Sequence, residues 1–280
     1  MAVFLGLAAA LSYGAADFVG GFSSKKVNVF VVVLISQLAG TVLLLALFPA
    51  INDSAATARA LLWGGAAGFG GGVGVVLLYR GLAIGRMSVV APVTAVEAAA
   101  VPVLVGLASG ERPGVLALAG VAVALVSVVL VSSSPHPDEE PASGLQAGLP
   151  EAIGAGAAFG LFFVFLAHAG HNTGAWPLIG TKLASVGFVT VMIAITRPAR
   201  SMSRASLRTI VLAGVLDLSA NVLYLAGSRR GLLSIVAVLT SLYPASTVIL
   251  ARIVLKERFS KVQVTGLLCA VAGIVLMASG

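Results

Sequence analysis

The 280-residue chain predicts an all-α, polytopic membrane protein of about ten transmembrane helices in two inverted five-helix repeats. Three observations carry that fold class. The chain is 59% hydrophobic and only 10% charged, with a mean hydropathy of +1.08, whereas a soluble domain is roughly 45–50% apolar. Its apolar runs recur in blocks of about 20 residues, the length an α-helix needs to cross about 30 Å of hydrocarbon. Finally, one stretch of the first half returns in the second at a constant offset.

The apolar runs lie near 2–22, 29–50, 61–82, 87–108, 113–133, 147–168, 175–196, 206–228, 232–254 and 260–279. The first lacks the basic start of a signal peptide and is too long for its apolar core, so it reads as a retained helix. Between the fifth and sixth runs stands SSSPHPDEEPASG, residues 132–144, whose Pro, Ser and acidic residues make an exposed linker. The chain therefore divides into 1–133, a polar linker at 134–146, and 147–280.

The halves align without gaps. SVVAPVTAVEAAAVPVLVGLASGER ends at Glu111-Arg112 and SIVAVLTSLYPASTVILARIVLKER ends at Glu257-Arg258, an offset of 257 − 111 = 146. The same offset pairs Ser88 with Ser234, Thr94 with Thr240, Gly14 with Gly160, Gly68 with Gly214 and Gly120 with Gly266. Five spans is an odd number, so the second copy enters the membrane in the opposite sense to the first. Secondary transporters use such a repeat to place a substrate site at the interface near the midplane.

The net charge of +7 does not mark a nucleic-acid binder, because Lys and Arg sit a few at a time at the ends of apolar runs. Most of them, from Lys25 and Lys26 to Arg258 and Lys261, fall on one side, while Arg59, Arg112, Arg229 and Arg230 fall on the side of both termini. Counted literally, this puts the termini outside. Cys269 has no intrachain partner for a disulfide. His168 and His171 have i,i+3 spacing but no third ligand near them, so no metal is expected. GGAAGFGGGVG, with Gly64, Gly68 and Gly72 every fourth residue, is helix-packing spacing and not a dinucleotide loop.

YGAADFVGG in the first run, YRGLAIGRMSVVAP and LYLAGSRRGLLSIVA across the third/fourth and eighth/ninth, and the VE…GER and LYP…KER stretches together resemble the drug/metabolite transporter superfamily, specifically its ten-helix EamA-type members built from two EamA repeats. The resemblance implies export of small metabolites or drugs through a central cavity, by proton or counter-substrate exchange, from a bacterial plasma (inner) membrane. It implies no cofactor, contact with membrane lipids, a small-molecule substrate and a monomer or homodimer. Members are usually drawn with cytoplasmic termini, against the charge count. The family often places Pro after the acid or Tyr of the fourth and ninth helices; Tyr243-Pro244 keeps this, whereas Glu97 is followed by Ala98.

Ionisable groups in the hydrocarbon zone cost at least about 2.5–3.5 kcal/mol at a helix centre, so Asp17, Glu97, Lys182 and Asp217 face a cavity or a partner. Glu97, between Pro92 and Pro102, is the first candidate for proton coupling or cation recognition; its alternative is a neutral carboxyl or a Lys182 pair that serves packing. Asp17 either lines a polar cavity mouth with Ser12 and Tyr13 or neutralises Lys25 or Lys26. Asp217, Asn221 and Tyr224 share one helical face, fit for hydrogen bonds to substrate or to a neighbouring helix. Lys182 counters an acid or holds an anionic group, and Tyr243, the repeat-mate of Glu97, lines the cavity or packs. Glu111-Arg112 and Glu257-Arg258 are expected to form interfacial salt bridges that fix helix hairpins, or paired gates on opposite faces.

No Ser-His, His-Glu or metal-ligand constellation lies inside the spans, and no GxxxxGK[ST] is present. A secondary transporter therefore leads. The alternatives are an intramembrane enzyme acting on a lipid-linked substrate and a non-transporting partner subunit.

Overall fold

The computed structural model describes residues 1–24, 27–52, 54–84, 87–132, 148–170, 172–197, 203–255 and 260–279, with side chains except at 79–84, 87–92, 132, 205, 244, 247–248, 251–252 and 255. Its helices are α1 Ala2–Ser24, α2 Val29–Ile51, α3 Ala58–Ile84, α4 Met87–Ala108, α5 Val115–Ser132, α6 Leu149–His168, α7 Trp176–Thr196, α8 Arg204–Ser228, α9 Leu233–Thr240, α10 Tyr243–Leu255 and α11 Lys261–Ser279. Among the described residues, seven helices are long and apolar enough to cross a membrane, and two apolar segments, Val93–Ala108 and Val115–Val131, are shorter. Large apolar side chains such as Leu38, Val42 and Leu45 on α2, Leu183 and Ile195 on α7, and Leu268 and Val275 on α11 point outward. A helix satisfies its own backbone, so this apolar exterior can meet lipid; the chain is a polytopic membrane protein.

The ninth apolar run was expected as one helix over 232–254; the structure divides it at Ser241 and Leu242. Pro244 has no N–H to give to the carbonyl of Thr240, and after Ser241, whose N–H still reaches Ala237 O at 2.8 Å, the Leu242 N–H turns onto Leu239 O at 3.3 Å. At the repeat-equivalent position α4 has Ala98, whose N–H is available, and α4 continues unbroken.

Helix contacts run mainly between the halves. α1 packs on α8 as α6 packs on α3, and α2 packs on α8 as α7 packs on α3. α4 lies against α6 as α9 and α10 lie against α1, while α2 meets α7 and α5 meets α11. Exchanging the halves reproduces these pairs. Small residues allow these approaches: a Cβ on Gly64 or Gly68 would strike the α7 backbone at Pro177 or Thr181, one on Gly72 would lie 2.7 Å from the Phe188 ring, and one on Gly74 would lie 2.7 Å from the Phe159 ring of α6. The glycines of α3 thus form two stripes, each receiving a different helix of the second half.

Candidate functional site

The strongest polar feature is an ion pair where α2, α7 and α8 converge. Lys182 of α7 is 2% exposed, and its Nζ donates to Asp217 Oδ2 on α8 and to Gln37 Oε1 on α2, each at 2.7 Å. Room for the ammonium comes from Gly40, since a Cβ there would lie 3.2 Å from Nζ and 3.0 Å from Gly214 O. Lys182 and Asp217 belong to the second half and Gln37 to the first, so the Lys182–Gln37 bond joins the charge pair of one half to the other. A buried ammonium needs this full set of acceptors, because taking it out of water costs several kcal/mol before pairing.

Of the candidate residues, the structure brings one group together. Asn221 Nδ2 donates to Asp217 O at 2.6 Å, and its Oδ1, on a side chain 3% exposed, has no hydrogen-bond partner among the described residues. The Tyr13 hydroxyl is likewise buried without a partner there, and it is within electrostatic reach of Asp217, Tyr224 and Asp17. Asp17 is exposed yet within electrostatic reach of Asp217 on α8 and Tyr243 on α10. Its alternative partners, Lys25 and Lys26, lie outside the described residues.

Tyr224 is fully buried and donates from its hydroxyl to Phe163 O on α6 at 2.9 Å, with the two rings 4.7 Å apart. Its place on the Asp217 stripe therefore serves a contact between helices. Tyr224→Phe should keep the ring packing and lose that bond, a cost of about 0.6 kcal/mol in unfolding experiments on the membrane-embedded protein. A loss of several kcal/mol would refute this reading.

Glu97 is half-buried on α4, has no hydrogen bond or ion pair among the described residues, and stands root-on to Gly156 of α6. Lys182 is committed to Asp217 and Gln37, so the Glu97–Lys182 pairing is not formed.

Glu111 departs from the expected hairpin salt bridge. Arg112 beside it is exposed, and Glu111 instead caps a helix of the other half: Oε1 accepts from Leu233 N at 2.5 Å and Oε2 from Ser234 N at 3.0 Å and Ser234 Oγ at 2.6 Å. The first N–H groups of a helix have no partners within it and carry partial positive charge, so a carboxylate is a stronger partner for α9 than an exposed guanidinium is for the carboxylate. All eight residues of α9 are buried, which leaves its N–H groups no water to turn to. Glu111→Ala should lower stability by about 2 kcal/mol in thermal or denaturant unfolding, and Glu111→Gln, which keeps one acceptor, by clearly less. Equal effects would show that the carboxylate does not act as the cap. Glu257 and Arg258 lie outside the described residues.

Sequence reasoning passed over Gln37. The available signal was an amide with the same demand as an ion, standing in the otherwise apolar run of α2. It also read Arg229 only as a topology marker, whereas the guanidinium holds the turn before α7 through Gly170 O at 3.2 Å, Thr173 Oγ1 at 2.7 Å and Gly174 O at 2.9 Å. Beside it a cavity of about 460 Å³ opens between the ends of α2 and α8 and the start of α7, reaching Leu178 and Val222. Leu178 is one helical turn from Lys182, and Val222 adjoins Asn221.

The model of the EamA-like transporter family matches residues 1–133 and 146–279. None of the curated proteins matches this chain. A solved structure described as "Crystal structure of protein" is similar over 98% of this chain and 95% of its own, with a TM-score of 0.80 and 15% identity. At that identity the likeness concerns the fold.

Proposed function

Because the chain belongs to the EamA-like transporter family, we propose that it is a secondary active transporter that exports small metabolites or drugs by alternating access between two inverted five-helix repeats. A proton or counter-substrate gradient drives it, and its place is a bacterial plasma (inner) membrane. The observation that carries this reading is the Lys182–Asp217–Gln37 cluster, a buried charge pair of the second half completed by a side chain of the first. Charge held inside a membrane bundle, at a contact between halves that move against one another, marks a solute or ion path far more often than a packing device.

The interchange of helix contacts between the halves supports the inverted arrangement, since a rocking motion of either half then meets an equivalent surface. Glu111, bonded to the start of α9 from the first half, and the complete burial of α9 supply a seal on the side of the termini. Asp17 supplies an exposed acid on α1.

The test is solute movement in proteoliposomes holding the purified chain, with candidate solutes taken from the external metabolites that rise when cells express it. Saturable flux that is absent from empty liposomes, and that is lost in the apolar double variant Lys182→Met/Asp217→Leu, is expected. A double variant that is folded and transports at the native rate would remove the cluster from the mechanism.

A further inference from the structure

We propose that the cavity on the side of the termini is a binding site for small organic anions, with Arg230 meeting the anionic group and Leu178, Val222 and Leu225 holding an apolar body. This names a substrate class for the transporter and rests on that reading for its use, whereas binding itself does not depend on it.

Space is present there. The cavity of about 460 Å³ lies between the last turn of α2, the start of α7 and the last turns of α8, within the roughly 300–1,000 Å³ of small-molecule sites. Leu178, Val222 and Leu225 give it an apolar wall. Leu178 precedes Lys182 by one helical turn, so that wall ends next to the buried ion pair.

The charge at this end of the bundle is positive wherever its undescribed side chains lie. The connections α2–α3, α4–α5, α6–α7 and α8–α9, with the helix ends beside them, carry Arg59, Arg112, Arg229 and Arg230 against Asp53 and Glu111. Four guanidiniums against two carboxylates leave two positive charges in excess, with Asp53, outside the described residues, counted in full. Glu111 is moreover spent on the start of α9. Two of the four arginines, Arg229 and Arg230, line the cavity, and no acid does among the described residues.

Hydrogen-bonding capacity has the same sign. Arg229 is fixed by Gly170 O, Thr173 Oγ1 and Gly174 O, neutral acceptors that hold its guanidinium beside the cavity. Arg230 is exposed and gives one N–H to Ala226 O at 2.9 Å. A guanidinium has five N–H groups, and the others of Arg230 have no partner among the described residues. Such a fork of donors fits the two oxygens of a carboxylate or phosphate. An ammonium would meet it donor to donor and charge to like charge. Asn172, exposed on the rim, can donate or accept and suits either sign. An aryl or alkyl carboxylate satisfies the wall, the charge and the donors together.

The experiment uses the full chain in phosphatidylcholine nanodiscs and three probes with one ring and different head groups: phenylacetate, phenethylamine and 2-phenylethanol. Titration calorimetry at neutral pH should give saturable binding of phenylacetate, with the other two weaker by about tenfold or more. Arg230→Gln should weaken phenylacetate binding by about tenfold and Arg230→Lys should restore part of it. Arg59→Gln, exposed on α3 and outside the cavity, should leave binding unchanged. Arg230 makes a single exposed hydrogen bond, so its variants should unfold at the native temperature, which separates loss of the site from loss of the fold. Equal binding of the amine, no phenylacetate binding at millimolar concentration, undiminished binding in Arg230→Gln, or an equal loss in Arg59→Gln would each overturn the proposal. A lipid phosphate is the other source of an anionic group. Phosphatidylglycerol retained in native mass spectra by the native chain and not by Arg230→Gln would assign the cavity to lipid head groups and overturn the proposal too. Flux of the same probes in proteoliposomes separates the two readings. Phenylacetate binding with no flux of any solute sinks the transporter and keeps the anion site, whereas flux of phenethylamine or phenylethanol without phenylacetate binding does the reverse.

Discussion

Lys182→Met should cost the folded protein about 3–5 kcal/mol, because it leaves Asp217 in the bundle with no cation beside it. The side chain is 2% exposed and its Nζ is bonded to Asp217 Oδ2 and Gln37 Oε1 at 2.7 Å each. The double variant Lys182→Met/Asp217→Leu should recover most of the loss, since an apolar pair of similar volume is often neutral or stabilising relative to a buried ion pair. Unfolding followed by the fluorescence of Trp63 and Trp176 on native, both single and double variants gives the coupling energy directly. If the singles and the double add without coupling, the pair does not hold these helices together. Recovery of stability without recovery of transport would place the pair in the function of the protein and not in its fold.

Gly68→Ala and Gly214→Ala should, with Gly64→Ala, be among the most damaging methyl additions at the described glycines. A Cβ on Gly68 would enter the backbone of Thr181 on α7, and one on Gly214 would enter the backbone of Ser36 on α2. The two glycines are related by the offset of 146, 214 − 68, and each admits a helix of the opposite half. A flexible side chain could move aside; a helix backbone cannot, so each substitution forces its helix pair apart, at about 1–3 kcal/mol or more. Gly65→Ala and Gly187→Ala provide the contrast: nothing lies within 4 Å of either added Cβ, and both should gain up to about 1 kcal/mol through helix propensity. Unfolding midpoints of the four variants test the scheme. Equal effects at all four positions would mean that close approach at these glycines is not what joins the halves.

Much of the fold was legible because a membrane leaves a chain few options. A segment in hydrocarbon must satisfy its own backbone, so apolar runs of the right length are helices, and runs such as 2–22 and 206–228 reappear within α1 and α8. Duplication was legible for a different reason: Glu111-Arg112 and Glu257-Arg258, with Ser88 and Ser234, keep one frame across a background of interchangeable small residues. Asp17, Lys182 and Asp217 stood out as charges inside apolar segments, a cost that always demands a local reason.

Sequence alone thus located the apolar helices, showed that the chain is built twice, and marked the ionisable groups inside apolar segments, because hydropathy and spacing act within one helix. Tertiary structure decided the partners of those groups. Whether Lys182 meets Glu97 or Asp217, whether Gln37 joins it, and whether Glu111 bonds an arginine or the N-terminus of α9 depend on the rotation and depth of helices far apart in the chain. Those quantities follow from glycines such as Gly40, Gly68 and Gly214, whose missing side chains set how closely the helices approach. The break between α9 and α10 lies between the two domains of reasoning: Pro244 marks it in the sequence, but only the packed bundle shows that α9 ends there, capped from the other half and buried along its length.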